Sequence, residues 1–141
     1  MLALALAFVL AAQAGKPFEL VTDPLVTLPA GESTTLHLRL RMTEEKKIYK
    51  DMVGIDVKDA DDLTVGAIVL PEGKTIPDPM GTAPREVYAN GTVLEVPVSA
   101  PADAHGTSVL SLVVHFQGCS PSMCYAPMDQ TVKVRVRVLS S

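Results

Sequence analysis

Apolar and polar residues alternate along most of this chain. In T-T-L-H-L-R-L-R-M, residues 34–42, Leu36, Leu38, Leu40 and Met42 share one face, while His37, Arg39 and Arg41 share the other. In T-V-K-V-R-V-R-V, residues 131–138, Val132, Val134, Val136 and Val138 oppose Lys133, Arg135 and Arg137. A period of two sends successive side chains to opposite sides of a strand, so both stretches read as strands with one buried and one wet face. Residues 53–57, 63–70, 93–98 and 109–116 are further apolar runs rich in β-branched residues and also read as strands. Turn residues separate the runs: Pro29-Ala30-Gly31, Pro71-Glu72-Gly73, Asn90-Gly91 and Ala104-His105-Gly106. Helical periodicity is nearly absent. About seven short strands without helices predict an all-β fold, an antiparallel β-sandwich.

One segment breaks the alternation. Residues 74–85, K-T-I-P-D-P-M-G-T-A-P-R, carry three prolines and a glycine. Proline fixes φ and removes a backbone donor, so the composition predicts a stiff, irregular loop rather than a strand. Such loops on a rigid scaffold often carry function.

Composition narrows the class. A chain of 141 residues is one domain's worth, and about half of it is apolar. It has no Trp, so its core must come from aliphatic side chains. A net charge of −4 weighs against nucleic-acid binding, which needs clustered cations to displace counterions. Residues 1–14, M-L-A-L-A-L-A-F-V-L-A-A-Q-A, are uncharged and close on Ala12-Gln13-Ala14. That pattern predicts a signal peptide cleaved after Ala14, although no Lys or Arg precedes the apolar stretch. The run is too short to span a bilayer as a helix. Residues 15–141 are then expected to form one exported domain with no membrane insertion, in a compartment where disulfides persist.

Both cysteines lie in Q-G-C-S-P-S-M-C-Y-A-P, residues 117–127, between the last two strand patterns. Four residues separate Cys119 from Cys124. A bridge is feasible if the turn there brings the Cα atoms within about 6 Å. As a staple it is weak: a loop this short gives about 2 kcal/mol, against roughly 4.7 for a loop of a hundred residues. The residues therefore leave a redox-active pair and a structural pair as competing readings, with soft-metal ligation as a third. Cys119, Cys124, Met123, Met128 and His115 are ligand types that suit Cu(I), but the Cys-to-His spacing of a blue-copper loop is missing. No phosphate loop, Ser/His/Asp set or paired-carboxylate site stands out, and no cofactor is expected.

The segment resembles the active-site stretch of the N-terminal periplasmic domain of the thiol:disulfide interchange protein DsbD. The family pattern is Q-G-C, a short spacer, then C-Y-x-P; here it is Gln117-Gly118-Cys119 and Cys124-Tyr125-Ala126-Pro127. Looser similarity covers Lys47-Ile48-Tyr49-Lys50, Leu70-Pro71-Glu72-Gly73, Asp78-Pro79-Met80-Gly81 and Glu86-Val87-Tyr88. The resemblance implies an immunoglobulin-like sandwich that relays reducing equivalents in the periplasm. Its electrons would come from a membrane-embedded donor and pass to thioredoxin-like or isomerase proteins. By motif position Cys124 would form the mixed disulfide and Cys119 would resolve it. Tyr49, Asp78 and Tyr125 would support the site, and Met80 would stand where the family has an aromatic cap. The chain departs from the family in three places: the spacer is one residue shorter than in well-known members, Lys47 replaces the first of two tyrosines, and Pro79-Met80 replaces the aromatic cap. No cation lies between Cys119 and Asp129 to lower a thiol pKa through the local chain, so Cys124 is expected to be sluggish until a partner docks.

Overall fold

The computed structural model describes residues 17–43, 45–78, 81 and 83–140. The expected leader, residues 1–14, lies outside the described residues, as do Pro79 and Met80.

Among the described residues twelve strands form three four-stranded sheets. The first sheet runs β1 (Phe18–Val21), β3 (Ser33–Met42), β9 (Val93–Ser99) and β6 (Thr64–Val65). The second runs β2 (Leu25–Pro29), β12 (Met128–Leu139), β10 (Gly106–Phe116) and β5 (Gly54–Asp59). These two pack face to face as the expected all-β, immunoglobulin-like sandwich. Their inner faces are the alternating positions: Leu36, Leu38 and Leu40 from β3 meet Leu110, Leu112, Val134 and Val136 from β10 and β12. Every ladder of the two sheets is antiparallel except β2 on β12, which is parallel.

A third sheet is not foreseen by the alternation. It runs β11 (Gly118–Cys119), β4 (Lys47–Tyr49), β8 (Arg85–Tyr88) and β7 (Lys74–Ile76). Its strands are only two to four residues long, too short for a periodic pattern to register. β7 falls inside the stretch read as wholly irregular; the proline-rich part begins only at Pro77. Conversely, residues 63–70 give a strand of two residues instead of eight. Pro97 explains the stop. Its carbonyl accepts from Gly66 N, so the position where it lacks an N–H also faces β6, and the ladder cannot continue.

The turns also differ in detail. Asn90-Gly91 makes its turn, with Gly91 alone at positive φ, but it joins β8 of the third sheet to β9 of the first rather than closing a hairpin. Asn90 Oδ1 accepts from Met42 N at 2.9 Å, which ties that turn to β3. Pro71-Glu72-Gly73 is not a turn; the Tyr88 hydroxyl donates to Pro71 O and Gly73 N donates to the Glu86 carboxylate.

Leu110 is fully buried between the sheets, whereas Thr107 on the same strand faces solvent. Leu110→Ala is expected to lower unfolding free energy by about 2–5 kcal/mol, and Thr107→Ala to change it by less than about 0.5 kcal/mol. Urea denaturation followed by circular dichroism measures both.

Candidate functional site

Alternation in two short strands builds the site. In β4, Ile48 points into the main core and Tyr49 into a second, smaller cluster. In β8, Tyr88 joins the main core and Val87 the smaller cluster. The register pairs Ile48 with Tyr88 and Tyr49 with Val87, so one thin sheet serves two apolar faces. Cys119, paired with Lys47 across β11 and β4, is buried on the same side as Tyr49 and Val87.

Cys119 and Cys124 are bridged, with Cα atoms 4.0 Å apart. They face each other as an antiparallel pair. The spacer closes between them: Ser120 N donates to Met123 O, and the Ser120 hydroxyl accepts from Ser122 N and Met123 N. Pro121 follows Ser120, where its fixed φ suits the first bend of a turn. The four-residue spacer therefore forms a tight hairpin tip. The two cysteines are unequally buried: Cys119 is 6 % exposed, whereas Cys124 is half-buried.

The residues flanking the cysteines hold this hairpin to the sandwich. Gln117 O accepts from Tyr49 N, and the Gln117 side-chain amide donates to Tyr125 O. Gly118 O accepts from Tyr125 N at 2.9 Å. Gly118 lies flat on the Phe18 ring; a Cβ there would sit 2.2 Å from Phe18 Cζ. Gly118 is part of a strand, and its role is close approach. The Phe18 ring in turn meets Phe116 and Tyr125 edge to face, at 6.2 and 5.3 Å between centroids. Tyr125 thus supports the hairpin from the core side.

Tyr49 and Asp78 meet at the sulfurs. The Tyr49 hydroxyl donates to Asp78 Oδ1 at 3.0 Å and lies 3.7 Å from Cys124 Sγ. Burial, then the Asp78 carboxylate, push the Tyr49 phenol above its ordinary pKa, so it stays protonated at neutral pH. The Asp78 side chain is 7 % exposed and needs a counter-charge. Arg85 supplies it. Its guanidinium stacks 3.4 Å from the Tyr49 ring centroid, with Nη1 3.7 Å from Asp78 Oδ2 and Nη2 2.6 Å from Asp51 Oδ1. A cavity of about 190 Å³ lies beside the bridge, floored by Ile76, Val87 and Cys119 and rimmed by Glu45 and Lys47.

Sequence reasoning missed Arg85. Its sequence distance from the cysteines hid it, although Arg85 and Val87 alternate on the strand that pairs with Tyr49. His115 does not join the sulfurs: its Nδ1 bonds Asp129 Oδ1 at 2.6 Å and its Nε2 bonds Asp56 Oδ2 at 2.7 Å on the outer sheet face. Met128 packs against the main core, and Met123 is 49 % exposed on the hairpin tip. The Cu(I) ligand set is therefore not drawn together, and no cluster of three His, Cys, Asp or Glu residues occurs among the described residues.

Comparison with known proteins finds a matching family and similar folds. A family model described as thiol:disulfide interchange protein DsbD, N-terminal, matches residues 18–136. The reduced N-terminal domain of DsbD from Neisseria meningitidis superposes with a TM-score of 0.57 at 20 % identity, covering 77 % of this chain and 82 % of that one. A structure of the complex between the DsbD N-terminal and PilB N-terminal domains from the same organism gives 0.58 at 20 % identity, with 92 % and 88 % coverage. Among curated proteins no relative matches.

Two measurements check these placements. Gly118→Ala is expected to cost roughly 2–3 kcal/mol in the oxidised protein, because Phe18 must move out of a packed core; thermal unfolding reads it. For His115 the hydrogen bonds to Asp129 and then Asp56 raise the pKa above the ordinary imidazole value. A raised folded-state pKa gives stability that is fully present below about pH 6.5 and fades as pH climbs through the raised value. The stability difference between the native chain and His115→Gln should therefore shrink from mildly acidic toward alkaline pH.

Proposed function

The chain belongs to the family of the N-terminal domain of thiol:disulfide interchange protein DsbD, and from that premise we propose that it relays reducing equivalents through Cys119 and Cys124. The observation that carries the reading is the unequal burial of the two cysteines. In this reading a partner thiolate attacks the half-buried Cys124 rather than Cys119, which is buried beside β4 on the face it shares with Tyr49 and Val87. Attack on Cys124 Sγ forms a mixed disulfide and releases Cys119 as the leaving thiolate, which takes up a proton. The partner's second thiolate then attacks its own half of the mixed disulfide and frees Cys124. The partner ends as a disulfide, and this chain gains two electrons and two protons. Run in reverse, the same steps deliver the electrons to an oxidised acceptor.

Tyr49, Asp78 and Arg85 tune that exchange in this reading. While the bridge is closed, the Tyr49 proton is directed to Asp78. Once Cys124 is a thiolate, the same hydroxyl is within reach to donate to it. Arg85 offsets the Asp78 charge, which would otherwise oppose a nearby thiolate. By motif position Met80 takes the family's cap role in this reading, and Tyr125 holds the hairpin down. The cation that the local chain lacks is thus brought from β8.

The donor in this proposal is a membrane-embedded carrier, and the acceptors are periplasmic thioredoxin-like or isomerase proteins. A solved complex pairs the related DsbD domain with the PilB N-terminal domain, which supports docking of such partners. The chain is exported after cleavage behind Ala14. Among the described residues no helix is long and apolar enough to cross a membrane.

Equilibration in glutathione buffers tests the proposal. A relay requires a potential between about −180 and −270 mV; a value below about −300 mV marks a structural bridge and overturns it. Reactivity tests the roles. The free Cys124 of Cys119→Ala should react with a disulfide reagent roughly tenfold faster than the free Cys119 of Cys124→Ala, and it alone should capture periplasmic proteins as mixed disulfides.

A further inference from the structure

The stripe Lys133, Arg135 and Arg137 takes no part in the exchange site. All three side chains project from the outer face of β12, spaced about 7 Å apart along the strand. No hydrogen bond or ion pair holds any of these three side chains among the described residues. By contrast, Arg41 on the opposite sheet is paired with Glu19. The acids that share the β12 face stand apart from the stripe. Asp129, at the far end of β12, and Asp56 are committed to His115, and Asp59 lies two strands from Lys133 beyond Ser111. Asp23, just before β2, makes no ion pair with the stripe.

The register sets aliphatic side chains among the cations. Arg135 is paired with Val109 on one side and Leu25 on the other, so one row crosses three strands as Leu25, Arg135, Val109. Leu25 is 55 % exposed, and Val109 and Leu139 are each 42 % exposed. Unpaired cations interleaved with projecting aliphatic groups match the boundary between anionic headgroups and acyl chains. A protein partner would instead have to supply carboxylates spaced to meet three cations in a line. The chain's net charge of −4 opposes approach to an anionic surface at long range, but screening over about 8–10 Å leaves the local stripe dominant.

We infer that this face docks on an anionic phospholipid surface. The interaction is independent of the sulfur chemistry, since the disulfide hairpin lies past the Phe116–Met128 end of the β10–β12 ladder and the stripe lies toward its other end. The test is flotation of oxidised residues 15–141 with phosphatidylcholine vesicles, with and without phosphatidylglycerol. This chain keeps every described residue and omits the apolar leader, which would bind lipid by itself. Binding is expected only with phosphatidylglycerol and is lost near 1 M salt, where screening shortens to about 3 Å. The combined variant Lys133→Gln, Arg135→Gln, Arg137→Gln should bind roughly 100-fold more weakly, about fivefold for each cation. A control, Arg39→Gln with Arg41→Gln, removes cations from the other sheet and should retain binding. Equal binding by native chain and triple variant, an equal loss in the control, or no preference for phosphatidylglycerol overturns the inference. Circular dichroism melts confirm that each variant is folded.

Discussion

The contact between Gly118 and the Phe18 ring is the constraint on which the site depends. The third sheet lends Ile48 and Tyr88 to the sandwich core and is too small to stand alone. It is held because Gly118 presents bare backbone to an aromatic face and because Ile48 and Tyr88 reach into the main core. Once β11 lies on Phe18, β4 must pair with it, and Tyr49 must point away from the core toward the sulfurs. The hairpin bearing the bridge is therefore positioned by packing. Gln117 and Tyr125 then lock it with hydrogen bonds and an edge-to-face ring contact.

The electrostatics of the site follow from that placement. Asp78 is nearly buried and close to the sulfurs, a poor neighbour for a thiolate. Tyr49 and Arg85 moderate it, one by hydrogen bonding and one by charge. Arg85 is itself shared with Asp51, so the guanidinium is fixed from two sides and is not a loose surface cation. A network anchored this way is preorganised around the bridge before any partner arrives.

The long strands were legible in the sequence because β3, β10 and β12 run ten to twelve residues and keep one face buried throughout. The cysteine hairpin was legible from its motif. The third sheet was not, since strands of two to four residues contain barely one alternation. The extent of residues 63–70 was misread because the limit is imposed by Pro97 on another strand, which local pattern cannot report. Arg85 was invisible for a similar reason: its partners Tyr49, Asp51 and Asp78 come from separate segments. The packing role of Gly118 was not legible, because a glycine marks a bend and a close approach alike.

Pro97 has a second consequence. β6 is the outermost strand of its sheet, and exposed sheet borders invite pairing with strands of neighbouring molecules. With only Thr64 and Val65 in the ladder, this border offers a short template. A single imino acid on the penultimate strand thus keeps that border short.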